Sequence, residues 1–166
     1  MKNFKKNCFS IILFCACCAI ISSCAFLKDM TTLPPNTVTL KCNSGGTANR
    51  EVTLQVVNAK GSRASGTVNV LIKCSKPNYN GRYMIGDNRT FAIDDKGVRS
   101  TPVAHNASSG SPDFRNVEIP QGGSLDVTIR GFAVSPEATM LKTLEIGCLS
   151  WDGCIAKFKD IPITWE

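Results

Sequence analysis

One histidine, two tryptophans and two tyrosines are all that this 166-residue chain offers of the side chains that most often build acid–base sites and binding hot spots. The single imidazole, His105, stands in Pro102-Val103-Ala104-His105-Asn106, upstream of Ser108, Ser109 and Ser111. No Gly-x-Ser-x-Gly elbow accompanies those serines, so the chain lacks the nucleophile–base arrangement of a serine hydrolase. It is read as non-enzymatic, with no catalytic residue and no cofactor. Long apolar runs are missing too. Cys8 to Ile21 is fourteen residues with only Ser10 polar, short of the ~20 that a spanning helix needs. Apolar residues do not recur with a sustained 3.6-residue period, which excludes a helical bundle. No basic stripe interleaved with aromatics is present, which excludes a nucleic acid as partner. At 43% hydrophobic and 19% charged, the chain is too apolar to remain disordered.

What is abundant is cysteine, nine in all, and the nine fall into two groups. Cys8, Cys15, Cys17, Cys18 and Cys24 lie in the first 24 residues. Lys2, Lys5 and Lys6 precede the apolar Cys8–Ile21 segment, and a basic start followed by a short apolar run is the grammar of an export signal. Ile21-Ser22-Ser23-Cys24 resembles the lipobox of bacterial lipoproteins, with an aliphatic residue three before the cysteine and small residues beside it. The resemblance implies cleavage before Cys24 and attachment of diacylglycerol to its sulfur, usually with N-acylation by a chain such as palmitate. A thiolate is a suitable nucleophile for that step. The competing expectation is plain secretion, with cleavage after Ala25. Ala25 is not the Asp associated with inner-membrane retention, so the outer membrane is expected, through a lipid anchor. The division is residues 1–23 as signal peptide, 24–36 as a lipidated tether stiffened by Pro34-Pro35, and 37–166 as the folded domain. Loss of the signal removes three lysines and no acid, leaving 16 basic against 13 acidic side chains.

From Thr37 onward the apolar period is two. Val38, Leu40 and Cys42 share one face, as do Val52, Leu54 and Val56. Val68, Val70, Ile72 and Cys74 form a third set and Leu125, Val127 and Ile129 a fourth. Leu144, Ile146 and Cys148, then Ala156 and Phe158, complete the inward positions. Turn signals at Asn43-Ser44-Gly45-Gly46, Gly61, Asp94-Asp95-Lys96-Gly97, Gln121-Gly122-Gly123 and Asp152-Gly153 punctuate these runs. The one helix candidate is a turn or two over Ser135–Leu141, with Ser135 as cap and Pro136 at the first position. An all-β, two-sheet antiparallel sandwich follows.

Four stretches carry a family likeness: Phe91-Ala92-Ile93-Asp94-Asp95-Lys96-Gly97; Ile119-Pro120-Gln121-Gly122-Gly123-Ser124-Leu125-Asp126-Val127-Thr128; Leu144-Glu145-Ile146; and Phe158-Lys159-Asp160-Ile161-Pro162-Ile163. Their order resembles a group of secreted bacterial lipoprotein domains with an immunoglobulin-like β-sandwich and largely unknown function. The likeness spans Asn49 to Ile163 and departs from the group's pattern where Gln121 separates Pro120 from Gly122. It implies a fold and no mechanism.

Four cysteines remain in the exported chain: Cys42, Cys74, Cys148 and Cys154. An oxidising compartment and an even count suggest two disulfides, for which three connectivities exist. The expected pairing is Cys148–Cys154 across a Trp-Asp-Gly turn, with Cys42–Cys74. The C-x₂₋₄-C spacing of a zinc site is absent, and no metal is expected. Asp87, Asp94 and Asp95 admit two readings: oxygen ligands gathered for calcium, or turn residues that need no metal. Trp151, Tyr79, Tyr83 and Arg82 are the candidate contact residues for an envelope protein or glycan, although the tyrosines also suit the capping of sheet edges. The functional expectation is a lipid-anchored binding or structural module of a Gram-negative envelope. The alternative is a secreted calcium-dependent carbohydrate-binding domain or enzyme using the loops near Asp94 and Trp151.

Overall fold

The computed structural model describes residues 33–44, 48–78, 80–107, 116–148 and 154–166. These form eleven strands and no helix. They are β1 (Thr37–Ser44), β2 (Ala48–Ser62), β3 (Thr67–Ser75), β4 (Gly81–Met84), β5 (Phe91–Asp94) and β6 (Arg99–Ser100), followed by β7 (Ala104–Ala107), β8 (Asn116–Ile119), β9 (Ser124–Ala133), β10 (Met140–Gly147) and β11 (Ile155–Trp165). Among the described residues the expected all-β class is what the chain adopts. The expected arrangement differs. Nine strands join in one curled sheet in the order β6-β5-β10-β11-β2-β3-β9-β7, with β1 added on β2, and β4 pairs with β8 in a small second sheet. The large sheet is mixed, not antiparallel, because Ile163–Trp165 of β11 run parallel to Ala59–Gly61 of β2. A parallel closure joins strands far apart in sequence, and no local pattern announces it.

The period-two sets are the core. Val52 and Leu54 of β2, Val68, Val70 and Ile72 of β3, Ile129 of β9 and Leu144 and Ile146 of β10 are all completely buried. They belong to a single cluster to which β4 contributes Tyr83 and β8 contributes Val117 and Ile119. Val38 and Leu40 of β1 pack on its edge. Where parity slips, a bulge takes up the extra residue. In β2 the register jumps between Val56 and Asn58, so Val57 turns outward at 50% exposure and Ala59 takes the next inward place. In β9 it jumps opposite Val68 and Val70, and Phe132, not residue 131, becomes the inward side chain after Ile129.

Two local expectations need correction. Ser135–Leu141 is a single turn, closed by the Ala138 N–H donating to the Ser135 carbonyl at 2.9 Å, after which β10 begins. A helix would have withdrawn Met140 and Leu141 from their pairing with Pro162 and Ile161. Gly61 ends no strand: β2 continues through it to Ser62, and the turn follows at residues 63–66. Gly61 is small because the Trp165 ring lies on it. A Cβ there would stand 2.5 Å from Trp165 Cε3.

Candidate functional site

The outward faces of β2, β3 and β9 form a shallow groove of about 340 Å³, bordered by Asn58, Lys60, Asn69, Thr128, Arg130 and Glu166. Except for Glu166, each of these side chains sits opposite in parity to a buried neighbour, so the strands that build the core also build the groove. Register fixes the spacing: Lys60 lies across from Asn69, and both Asn58 and Thr128 lie across from Leu71. The parallel end of β11 delivers Glu166, whose N–H donates to the Gly61 carbonyl at 2.8 Å. Lys60 Nζ then donates to Glu166 Oε1 at 2.8 Å. That hydrogen bond, with the attraction between the charges, raises the Lys60 pKa and lowers that of Glu166. Asn69 Oδ1 accepts the Gly131 N–H at 3.0 Å, holding the β9 bulge beside Arg130. The groove presents two cations, two amides, two hydroxyls (Ser62 and Thr128) and one carboxylate, which equips it to hold a polar or charged ligand by hydrogen bonds.

The three aspartates serve the backbone. Asp94 is 1% exposed; its Oδ1 accepts the N–H groups of Lys96 (2.9 Å) and Val98 (2.8 Å), and its Oδ2 accepts that of Ser135 (2.8 Å). This is the acidic-Gly turn, with Gly97 N–H donating to the Asp94 carbonyl. Asp95 accepts from the Thr139 N–H and hydroxyl, and chiefly the hydroxyl bond lowers its pKa. Asp87 accepts the Arg89 N–H at 2.9 Å and pairs with its guanidinium. Of the two readings of these carboxylates, the turn reading describes Asp94 and Asp95. Among the described residues no three His, Cys, Asp or Glu side chains are grouped to hold a metal ion.

The cysteines depart from the expected pairing. Cys74 and Cys148 are free and fully buried, so neither the Cys148–Cys154 nor the Cys42–Cys74 link is formed in this structure. The hairpin backbone does bring Cys148 and Cys154 together, the Cys148 N–H donating to the Cys154 carbonyl at 2.9 Å. The sulfurs diverge. Cys148 Sγ turns into the core, 3.4 Å from the Ile146 carbonyl, while Cys154 Sγ lies 3.9 Å from the Lys41 carbonyl of β1. Cys154 is disulfide-bonded.

Tyr83 is corrected as a surface contact: it is fully buried, because β4 pairs it with inward Val117 of β8. Arg82 lies opposite Glu118, Cys42 opposite Arg50 and His105 opposite Ile129, with their side chains outside the described set. Cys24, Tyr79 and Trp151 lie outside the described residues. The groove residues were missed in the sequence because Lys60 and Glu166 are 106 positions apart. Their one legible signal is polar character at outward parity.

No protein-family model matches the chain, and a search of curated proteins returns no match.

Proposed function

We propose that this protein is a lipid-anchored, non-enzymatic binding or structural module of a Gram-negative envelope, held in the outer membrane through Cys24. The observation that carries the reading is Ile21-Ser22-Ser23-Cys24 placed directly behind a basic start and a fourteen-residue apolar segment. A Pro-containing tether and an all-β domain follow it. No described helix is long and apolar enough to cross a membrane. Two or more acyl chains hold a domain to a bilayer firmly, since each buried CH₂ contributes about 0.8 kcal/mol. Membership of the immunoglobulin-like lipoprotein domains belongs to the same proposal: the motifs that carry the likeness fall on β5, β9, β10 and β11, which share one core.

Radioactive palmitate should label the wild-type chain and leave Cys24→Ala unlabelled; equal label in both refutes the anchor. The contact face is assigned to the groove over β2, β3 and β9. A pull-down from native membranes in which Lys60→Glu/Arg130→Glu captures the same partners as wild type refutes that assignment.

A further inference from the structure

Two buried thiols take no part in the groove. Cys74 and Cys148 are wholly inaccessible to solvent and belong to one apolar cluster. The topology brings them to the same end of the domain. β3 runs antiparallel to β2, β11 joins β2 in parallel, and β10 runs antiparallel to β11, so β3 and β10 point the same way. Cys74 is the penultimate residue of β3, and Cys148 directly follows the last residue of β10. β2 and β11 stand between the two strands along the sheet, so the cysteines are not ladder neighbours. Both face the one apolar core, and the route between them runs through it.

We propose that Cys74 and Cys148 form an intrachain disulfide that pins the end of β3 to the end of β10 through the core. The remaining pairing is consistent with it. Cys154 is already disulfide-bonded and its sulfur sits against Lys41, the residue before Cys42. Assigning Cys154 to Cys42 leaves Cys74 and Cys148 to each other. After burial, a charge on Cys74 is among the causes that raise the Cys148 pKa. Both thiols are free in this structure.

The oxidant is a protein or small-molecule disulfide of an oxidising compartment, so the inference rests on the export reading above. One cysteine thiolate attacks a sulfur of that disulfide, forming a mixed disulfide and expelling one thiolate. The second cysteine, as thiolate, attacks the protein sulfur of the mixed disulfide and expels the other. The chain loses two protons and two electrons, and the oxidant becomes two thiols. Burial pushes the Cys74 thiol up to about 12 and Cys148 in the same direction. Neither is a competent nucleophile once the core has closed, so the exchange precedes closure.

The test maps disulfides in the full chain, both isolated from envelopes and refolded in vitro with glutathione disulfide. Trypsin with Asp-specific cleavage separates the four cysteines into residues 42–50, 74–82, 143–151 and 152–157. The proposal expects 74–82 linked to 143–151 in both preparations. The link in refolded chain alone upholds the pairing and refutes export. Peptides 42–50 joined to 74–82, or 143–151 joined to 152–157, overturn it. Alkylated Cys74 and Cys148 in both unreduced, denatured preparations overturn it as well. In the Cys74→Ala variant, Cys148 should become fully alkylatable after denaturation without reductant.

Discussion

An alanine methyl at position 61 would stand 2.5 Å from Trp165 Cε3 and 2.6 Å from Cζ3, on a ring held from several sides. The indole N–H donates to the Ala138 carbonyl at 2.7 Å, and the Arg63 guanidinium lies 4.9 Å from the ring centroid. The ring cannot yield without losing these contacts. Gly61→Ala should therefore lower the unfolding free energy by about 1–3 kcal/mol, the cost of overpacking, as read from urea midpoints. Gly61→Ala/Trp165→Leu should recover part of that loss; an additive pair would refute the contact. Asp94 makes the complementary case. Asp94→Ala strands three backbone N–H groups that the carboxylate now accepts, at about 1–3 kcal/mol for each one left without water. Thermal unfolding should show Asp94→Ala as more damaging than Asp95→Ala, whose carboxylate is more exposed. The acidic-Gly turn around Asp94 was legible because its signal lies within four residues. The pressure of Trp165 on Gly61 was not, since the ring arrives from the far end of the chain.

At the scale of strands, protection should follow sheet position. β3 is flanked by β2 and β9, whereas β6 is two residues at the sheet's end. Hydrogen exchange should be slowest at the amides of Val68–Cys74 and fastest at Arg99–Ser100; equal rates would contradict the strand order. The last strand makes a second case. Ile163–Trp165 close β11 on β2, and Glu166 then reaches Lys60. A chain ending at Pro162 loses that parallel pairing, the Trp165 ring and the Lys60 partner together. It should bind 8-anilinonaphthalene sulfonate and melt well below wild type in circular dichroism. The parity of each strand could be read in the sequence, because alternation is local. The bulges at Val57 and in β9 could not, for they depend on which strand lies alongside.

For the whole molecule, stability should hold a plateau across neutral pH with a fall on either side. Asp95 and Glu166 titrate below their ordinary values, held by Thr139 and by Lys60. Their contributions are present above about pH 4 and are lost as acid carries the pH through the lowered folded-state values. Lys60 and Lys142 titrate above theirs, held by Glu166 and by Asp160. Their contributions are complete below about pH 10 and vanish as pH rises further. All four groups lie at the surface, so salt should flatten both limbs of a urea-midpoint profile, and Lys60→Met should diminish both. Oxidation should matter more than any of these surface pairs. A Cys74–Cys148 bridge closes a ~70-residue loop and on the chain-entropy model stabilises by roughly 4 kcal/mol. Comparing oxidised wild type with Cys74→Ala/Cys148→Ala by denaturation measures it.

Local features of the sequence determined the all-β class, the inward residues and the acidic-Gly turn, because alternation and turn chemistry act over a few residues. They also placed Cys74 and Cys148 on the inward side. The tertiary structure alone decided that the sheet is mixed, that Tyr83 is buried and that Lys60 meets Glu166. It decided as well that Cys148 turns away from Cys154 and into the core it shares with Cys74. Those outcomes depend on which strands lie together once the sheet has curled, and neighbours far apart in the chain are chosen by the packing of the whole core.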